Sequence, residues 1–189
     1  MAAARTLTAA EIQVVQQYIS KHAYSKRNSM MFALSAFAGM RVGEIAGLVL
    51  GDVRGRDGLI QAEIQLAAHR VKHGTARTVY LNTRLQQQMA DYVASRRWVS
   101  DTQPLFPTHR GPMSAFSPNT LAQHFYWLYR RCNLRASSHS GRKTFITNLS
   151  NQGISVFVLA SLAGHKSITT TQRYVVVNDD IKRRAVELV

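Results

Sequence analysis

The chain has 189 residues, 46% of them apolar, and carries 24 Lys and Arg against 10 Asp and Glu, a formal charge of +14. One cysteine, Cys132, excludes a disulfide framework and any all-cysteine metal site; no apolar run reaches transmembrane length, and the start MAAARTLTAAE lacks the hydrophobic core of a signal peptide. These bounds fit one soluble, intracellular domain over 1–189 that buries a full core, and the charge favours a polyanionic partner, because neutralising phosphates releases condensed counterions.

Thr8-Ala9-Ala10-Glu11 is a capping box, and it opens an amphipathic helix through about Ala23 with Ile12, Val15 and Ile19 on one face. A second helix, near Lys26 to Ala38, is almost wholly apolar after Asn28 and belongs at the centre of the core. Gly39 breaks it. Arg41 to Leu48 reads as a short helix starting at that break, so Arg41 sits where a buried helix ends, with Glu44 one turn on as a ready ion-pair partner. Gly51 to Gly58 is a turn region, followed by strand-like patterns at Leu59–Ile64 and Arg77–Leu81. Between them a long basic hairpin tip bears His69, Arg70, Lys72 and His73.

Thr83 to Val99 is the next helix, with Arg96 and Arg97 near its end, where cations suit the dipole. Asp101 to Ser117 is a loop carrying three of the four prolines. Pro118, at a first helical position, starts a helix to about Cys132 on the stripe Leu121, Phe125, Leu128, Tyr129. His139 to Asn151 follows, closed by Gly153; Ser155 caps Val156 to Ala163, closed by Gly164. Thr169 to Val176 is a short helix, and Asn178 with Asp179-Asp180 caps a last one to Val189. The fold class is therefore mainly α with a small antiparallel sheet.

The basic set is 18 Arg and 6 Lys. Arg grips phosphate bidentately where Lys acts as a point charge. A membrane surface fits less well, because the charges are dispersed and form no polybasic block. The stretch from Ser138 to Tyr174 sets polar exceptions in a helical apolar pattern: His139 and Arg142, then Gly164-His165, then Tyr174. Together they suggest a phosphate-handling site with its own nucleophile. Each is weak alone. Seven His and 18 Arg make a His-x-x-Arg pair roughly a chance event. A lone tyrosine is more often a core residue, and Lys72 on a hairpin tip is ordinarily a solvated charge.

Their joint order resembles the catalytic domain of the tyrosine recombinases, the phage integrase family, and by looser kinship the type IB topoisomerases. Ala38-Gly39-Met40-Arg41-Val42-Gly43-Glu44-Ile45 resembles the first arginine box. Lys72-His73-Gly74-Thr75-Ala76-Arg77-Thr78-Val79-Tyr80-Leu81 looks like the hairpin lysine segment. His139-Ser140-Gly141-Arg142-Lys143-Thr144-Phe145 is similar to the second box, while Leu162 to Ser167 and Thr169 to Tyr174 resemble the histidine and nucleophile boxes. Ala163 stands where Leu is common and Tyr80 where Pro is frequent, and neither position bears on the chemistry. The resemblance covers residues 8 to 189 and the catalytic half of a typical member. The N-terminal domain that closes the clamp on DNA falls outside the resemblance: either the protein is naturally short, as the fimbrial phase-variation invertases are, or this is a trimmed part of a longer protein.

The resemblance implies strand cleavage without metal or cofactor. Tyr174 would attack a phosphodiester to give a 3′-phosphotyrosyl intermediate and a free 5′-hydroxyl. Arg41 and Arg142 would clamp the non-bridging oxygens, and Lys72 would protonate the leaving oxygen. His139 would assist proton removal from Tyr174, and His165 would donate to the phosphate. Ten acidic residues without a cluster fit a two-metal nuclease badly. The partner implied is double-stranded DNA, engaged by a protein that is monomeric when free and tetrameric on paired sites, in the cytoplasm at the nucleoid. Two rivals stand beside recombination: a DNA-binding regulator without turnover, and topoisomerase-like relaxation of one duplex. The segment after Asn178 either docks on a neighbouring subunit or packs on its own domain.

Overall fold

The apolar stretch after Asn28 forms a central helix against which four other helices pack. In the computed structural model, which describes residues 4–68, 76–175 and 179–187, this helix, α2 (Ser25–Phe37), buries Met30, Met31, Phe32, Ala33, Leu34 and Ala36. Each large side chain among these contributes about 1.5–3 kcal/mol of burial. Before it, α1 (Ala9–Ser20) begins at the Thr8 capping box, in which Thr8 Oγ1 accepts from the Glu11 amide and Glu11 Oε2 accepts from the Thr8 amide. It ends three residues short of the expected Ala23, in a turn that leads to Tyr24.

The first-box helix α3 (Val42–Ala46) is shorter than Arg41–Leu48, because Arg41 is its extended N-cap and Gly47 its C-cap. The two strands, β1 (Glu63–Leu66) and β2 (Arg77–Tyr80), pair antiparallel with Ile64 opposite Val79. The first strand lies four residues later than the Leu59–Ile64 pattern suggested. Ile64 and Leu66 take the buried face, whereas Leu59 is 67% exposed. The expected hairpin tip with His69, Arg70, Lys72 and His73 falls mostly on residues 69–75, outside the described residues.

Helix α4 (Thr83–Ala94) stops five residues before Val99. Side chains terminate it: Ser95 Oγ donates to the Tyr92 carbonyl and Trp98 Nε1 to that of Val93. Arg96 therefore lies beyond the helix, with its guanidinium over the Trp98 ring. The proline-bearing loop is structured by pairing: Leu105 donates to the Leu48 carbonyl and Leu50 to that of Gln103, which buries Leu105 and Phe106. Helix α5 (Pro118–Arg131) has Pro at its start and buries Leu121, Phe125, Leu128 and Tyr129, the stripe read from sequence.

Helix α6 (Ser140–Asn151) packs along α2, and Gly141 permits the approach: a Cβ there would stand 2.5 Å from Ser35 Oγ. Its Thr144 Oγ1 accepts from the Leu7 amide at 2.8 Å, which ties the start of the chain to the middle of the helix. Next come α7 (Val156–Ala163), α8 (Ile168–Gln172) and α9 (Asp179–Val186). Helix α8 begins one residue before and ends four before the expected Thr169–Val176, leaving Tyr174 just past its end. Among the described residues no helix is long and apolar enough to cross a membrane.

Candidate active site

The site is assembled at the C-terminal end of α7. The last carbonyls of a helix have no partner within the helix and carry its negative pole. Three consecutive carbonyls here each accept from a different arginine. Leu162 takes Arg77 Nη1 at 2.6 Å, Ala163 takes Arg142 Nη2, and Gly164 takes Arg41 Nη2 at 3.0 Å. Gly164 adopts φ +59° to end the helix, and its own Cα lies against the Arg77 side chain, where a Cβ would meet Cδ at 2.5 Å.

Arg41 is fixed at the start of α3. Glu44, one turn on, accepts from the Arg41 amide through Oε2 and from Nη1 through Oε1, both at 2.8 Å. The ion pair read from the sequence is therefore real, but Glu44 serves a second guanidinium as well. Arg77 donates Nε to Oε1 at 3.1 Å and Nη2 to Oε2 at 2.6 Å. The Glu44 side chain is 2% exposed. Burial alone would raise its carboxyl pKa; the hydrogen bonds and charge of Arg77, with help from Arg41, win and hold it below the usual range.

Arg142 lies on the first turn of α6, buried. Its Nη1 donates to the Gly39 carbonyl at 2.5 Å, at the positive-φ break after α2. Burial, then the charges of Arg41 and Arg77, push its guanidinium down to about 9; it remains a cation at neutral pH. A guanidinium has more donors than these two bonds use, so it keeps N–H groups for a ligand.

His165 follows Gly164, with Nδ1 2.8 Å from Thr171 Oγ1 on α8 and its ring stacked on Tyr174, centroids 6.0 Å apart. Burial and the charges of Arg142, Arg41 and Arg77 push it down to about 4, so the ring is neutral at pH 7. When Thr171 donates to Nδ1, the ring proton sits on Nε2, available as a donor. His139 occupies the exposed N-cap position of α6. Tyr174 is half-buried, with Lys143 Nζ 5.9 Å from its ring centroid.

Five of the six predicted site residues, Arg41, His139, Arg142, His165 and Tyr174, line one cleft of about 400 Å³, shared with Lys143, Lys166, Ser167 and Thr170. Lys72 lies outside the described residues. Sequence reading missed Arg77. Its signal was strand alternation: Arg77 shares a face with buried Val79, and a charge on a buried face requires a partner. Thr171, buried and bonded to His165, carried no comparable signal. Among the described residues no group of three or more His, Cys, Asp or Glu gathers to hold a metal.

Residues 5–180 match the model of the phage integrase family. The chain belongs to that family. Among its curated relatives, the tyrosine recombinase XerA of Pyrococcus furiosus is 27% identical over 184 residues, which is 97% of this chain and 61% of the relative. The tyrosine recombinase XerC of Pelobacter propionicus is 27% identical over 161 residues, 83% of this chain and 50% of the relative. This phage integrase family chain thus spans between half and two thirds of those proteins' lengths. A crystal structure of XerA recombinase superposes with a TM-score of 0.74 at 22% identity, over 97% of this chain and 64% of that one. A Tn1549 transposon integrase, solved with circular intermediate DNA, gives 0.73 at 20% identity, over 96% of this chain and 66% of that one. The likeness carries the fold: mainly α with a small antiparallel sheet.

Proposed function

We propose that the protein is a site-specific DNA recombinase or integrase that cleaves and rejoins strands through a 3′-phosphotyrosyl intermediate. The observation that carries this reading is one cleft lined by two guanidiniums, two histidines and a tyrosine. Two fixed cations bind a phosphodiester and, more strongly, the extra negative charge of its pentavalent state, which is the differential stabilisation that accelerates a reaction. In the reaction, Tyr174 Oη bonds to phosphorus as the bond to the 5′-oxygen breaks. The tyrosyl proton passes towards His139, and Lys72 supplies a proton to the departing 5′-oxygen. His165, neutral, donates through Nε2 to a non-bridging oxygen. The covalent phosphodiester keeps the bond energy, so a 5′-hydroxyl from another strand reverses the step and reseals the DNA.

The partner is double-stranded DNA, and the net charge of +14 supports it. The relatives' names, tyrosine recombinases XerA and XerC, support recombination over relaxation or simple binding. We assign residues 1–189 to one catalytic domain that acts as a monomer when free and a tetramer on paired sites. The test is capture: the protein is incubated with a pool of nicked duplexes of randomised sequence and stopped with detergent. Wild type yields a covalent protein–DNA adduct and Tyr174→Phe yields none while still binding. An adduct from Tyr174→Phe sinks the assignment.

A further inference from the structure

We propose that Arg77 is a positioning residue for this reaction: it holds Arg41 and the Gly164-His165 turn ready for phosphate without touching DNA itself. The proposal rests on the strand-transfer reading and deepens it. The Arg77 side chain is 6% exposed, against 19% for Arg41. Its fork is committed inside the protein, Nε and Nη2 to the two oxygens of Glu44 and Nη1 to the Leu162 carbonyl. Arg77 is absent from the lining of the cleft, which holds Arg41 and Arg142, and so acts as a brace that leaves those two to meet the ligand.

Charge gives the brace its first effect. Glu44 contacts Arg41 and Arg77 together. With one carboxylate facing two guanidiniums, a net positive charge remains for phosphate. Without Arg77, the buried carboxylate would pair with Arg41 alone and cancel the charge that Arg41 offers. Shape gives the second. The Arg77 stem lies against the Cα of Gly164, and Nη1 holds the carbonyl two residues earlier. Both contacts fix the turn that delivers His165 to the cleft and the carbonyl that holds Arg41. Arg77 also begins β2, the strand that follows the segment containing Lys72, and so ties that strand to α3 and α7.

Single-turnover cleavage of a nicked duplex recovered in the capture experiment tests this. Arg77→Lys keeps the charge but loses the planar fork. The expected result is DNA affinity within about twofold of wild type, a cleavage rate constant lowered about 10- to 100-fold, and an unchanged final fraction of protein converted to adduct. A role in folding alone would lower that fraction and leave the rate constant of the remainder unchanged, and this result overturns the proposal. So does an unchanged rate. Arg77→Met should be slow as well, and adding Glu44→Gln should recover several-fold in rate, because no unmatched carboxylate then draws on Arg41; no recovery overturns the charge argument. If wild type forms no adduct, the functional reading itself fails. The brace is then read in the free protein: Arg77→Lys should shift the Arg41 Nε–H and His165 ring signals in NMR spectra, and unshifted signals overturn it.

Discussion

Arg41 Nη2 donates to the carbonyl of Gly164 at 3.0 Å, joining residues 123 positions apart in the chain. The bond links the start of α3 to the end of α7, and it depends on the backbone turn at Gly164. A side chain there meets two obstacles: the left-handed φ of +59° and the Arg77 stem. Gly153 has a comparable φ of +84° but open space around it. Gly153→Ala should therefore cost about 1–2 kcal/mol of backbone strain. Gly164→Ala should exceed that by about 1 kcal/mol or more, because Arg77 must also move. Urea denaturation of the two variants measures the difference, and equal midpoints would contradict the packing described.

Arg142 bridges the carbonyls of Gly39 and Ala163 from a buried position. Lysine at this position supplies one point of charge and cannot span both acceptors. Arg142→Lys should lower single-turnover cleavage by about 10²–10³-fold, the effect of losing a donor to the transition-state charge. It should also lower stability by about 1–3 kcal/mol, from the carbonyl left unpaired. Cleavage kinetics and denaturant midpoints on one preparation check both figures.

Acid should destabilise the fold in two stages. An ordinary histidine titrates near 6.5, whereas folded His165 titrates at about 4. Between these values the unfolded chain binds a proton that the folded chain does not, so stability falls as pH drops from about 6.5 towards 4. Glu44 has a depressed carboxyl, so its stabilisation is present above the ordinary carboxylate value of 4.5 and is lost as pH falls below it. Denaturant midpoints measured from pH 8 to pH 4 should show the first decline in wild type and a flatter curve for His165→Gln. Identical curves would remove His165 as the source.

Replacing Glu44 tests the ion-pair network by another route. Glu44→Ala leaves two guanidiniums, one of them nearly buried, without their carboxylate. Breaking a buried pair by removing one partner costs about 3–5 kcal/mol. Thermal unfolding should show a large fall in Tm, and a fall no greater than for an exposed pair such as Arg54–Asp101 would mean that the network contributes little.

Much of this architecture is written locally. Thr8 with Glu11, Pro118 at a helix start, Ser155 with Val158 and the stop at Gly164 each act through bonds or φ values set within a few residues. Where the sequence misleads, a distant partner decides. β1 takes its register from β2, which puts Ile64 and Leu66 inward and leaves Leu59 outside. Helix α4 ends early because Trp98 folds back on the Val93 carbonyl. Arg41, Arg142 and Tyr174 were legible through motif order, whereas Arg77 was visible only as a charge on the inner face of a strand, and its partners Glu44 and Leu162 are supplied by the fold.

Tyr174 is the residue proposed to bond covalently to DNA, and mass spectrometry of the peptide containing it tests that assignment. Wild-type protein is mixed with the nicked duplex, stopped with detergent and digested with protease and nuclease. A nucleotide phosphate attached to Tyr174, absent from the Tyr174→Phe protein, is the result predicted. Attachment at another residue, or an unmodified Tyr174 in protein that has cut its DNA, would contradict it.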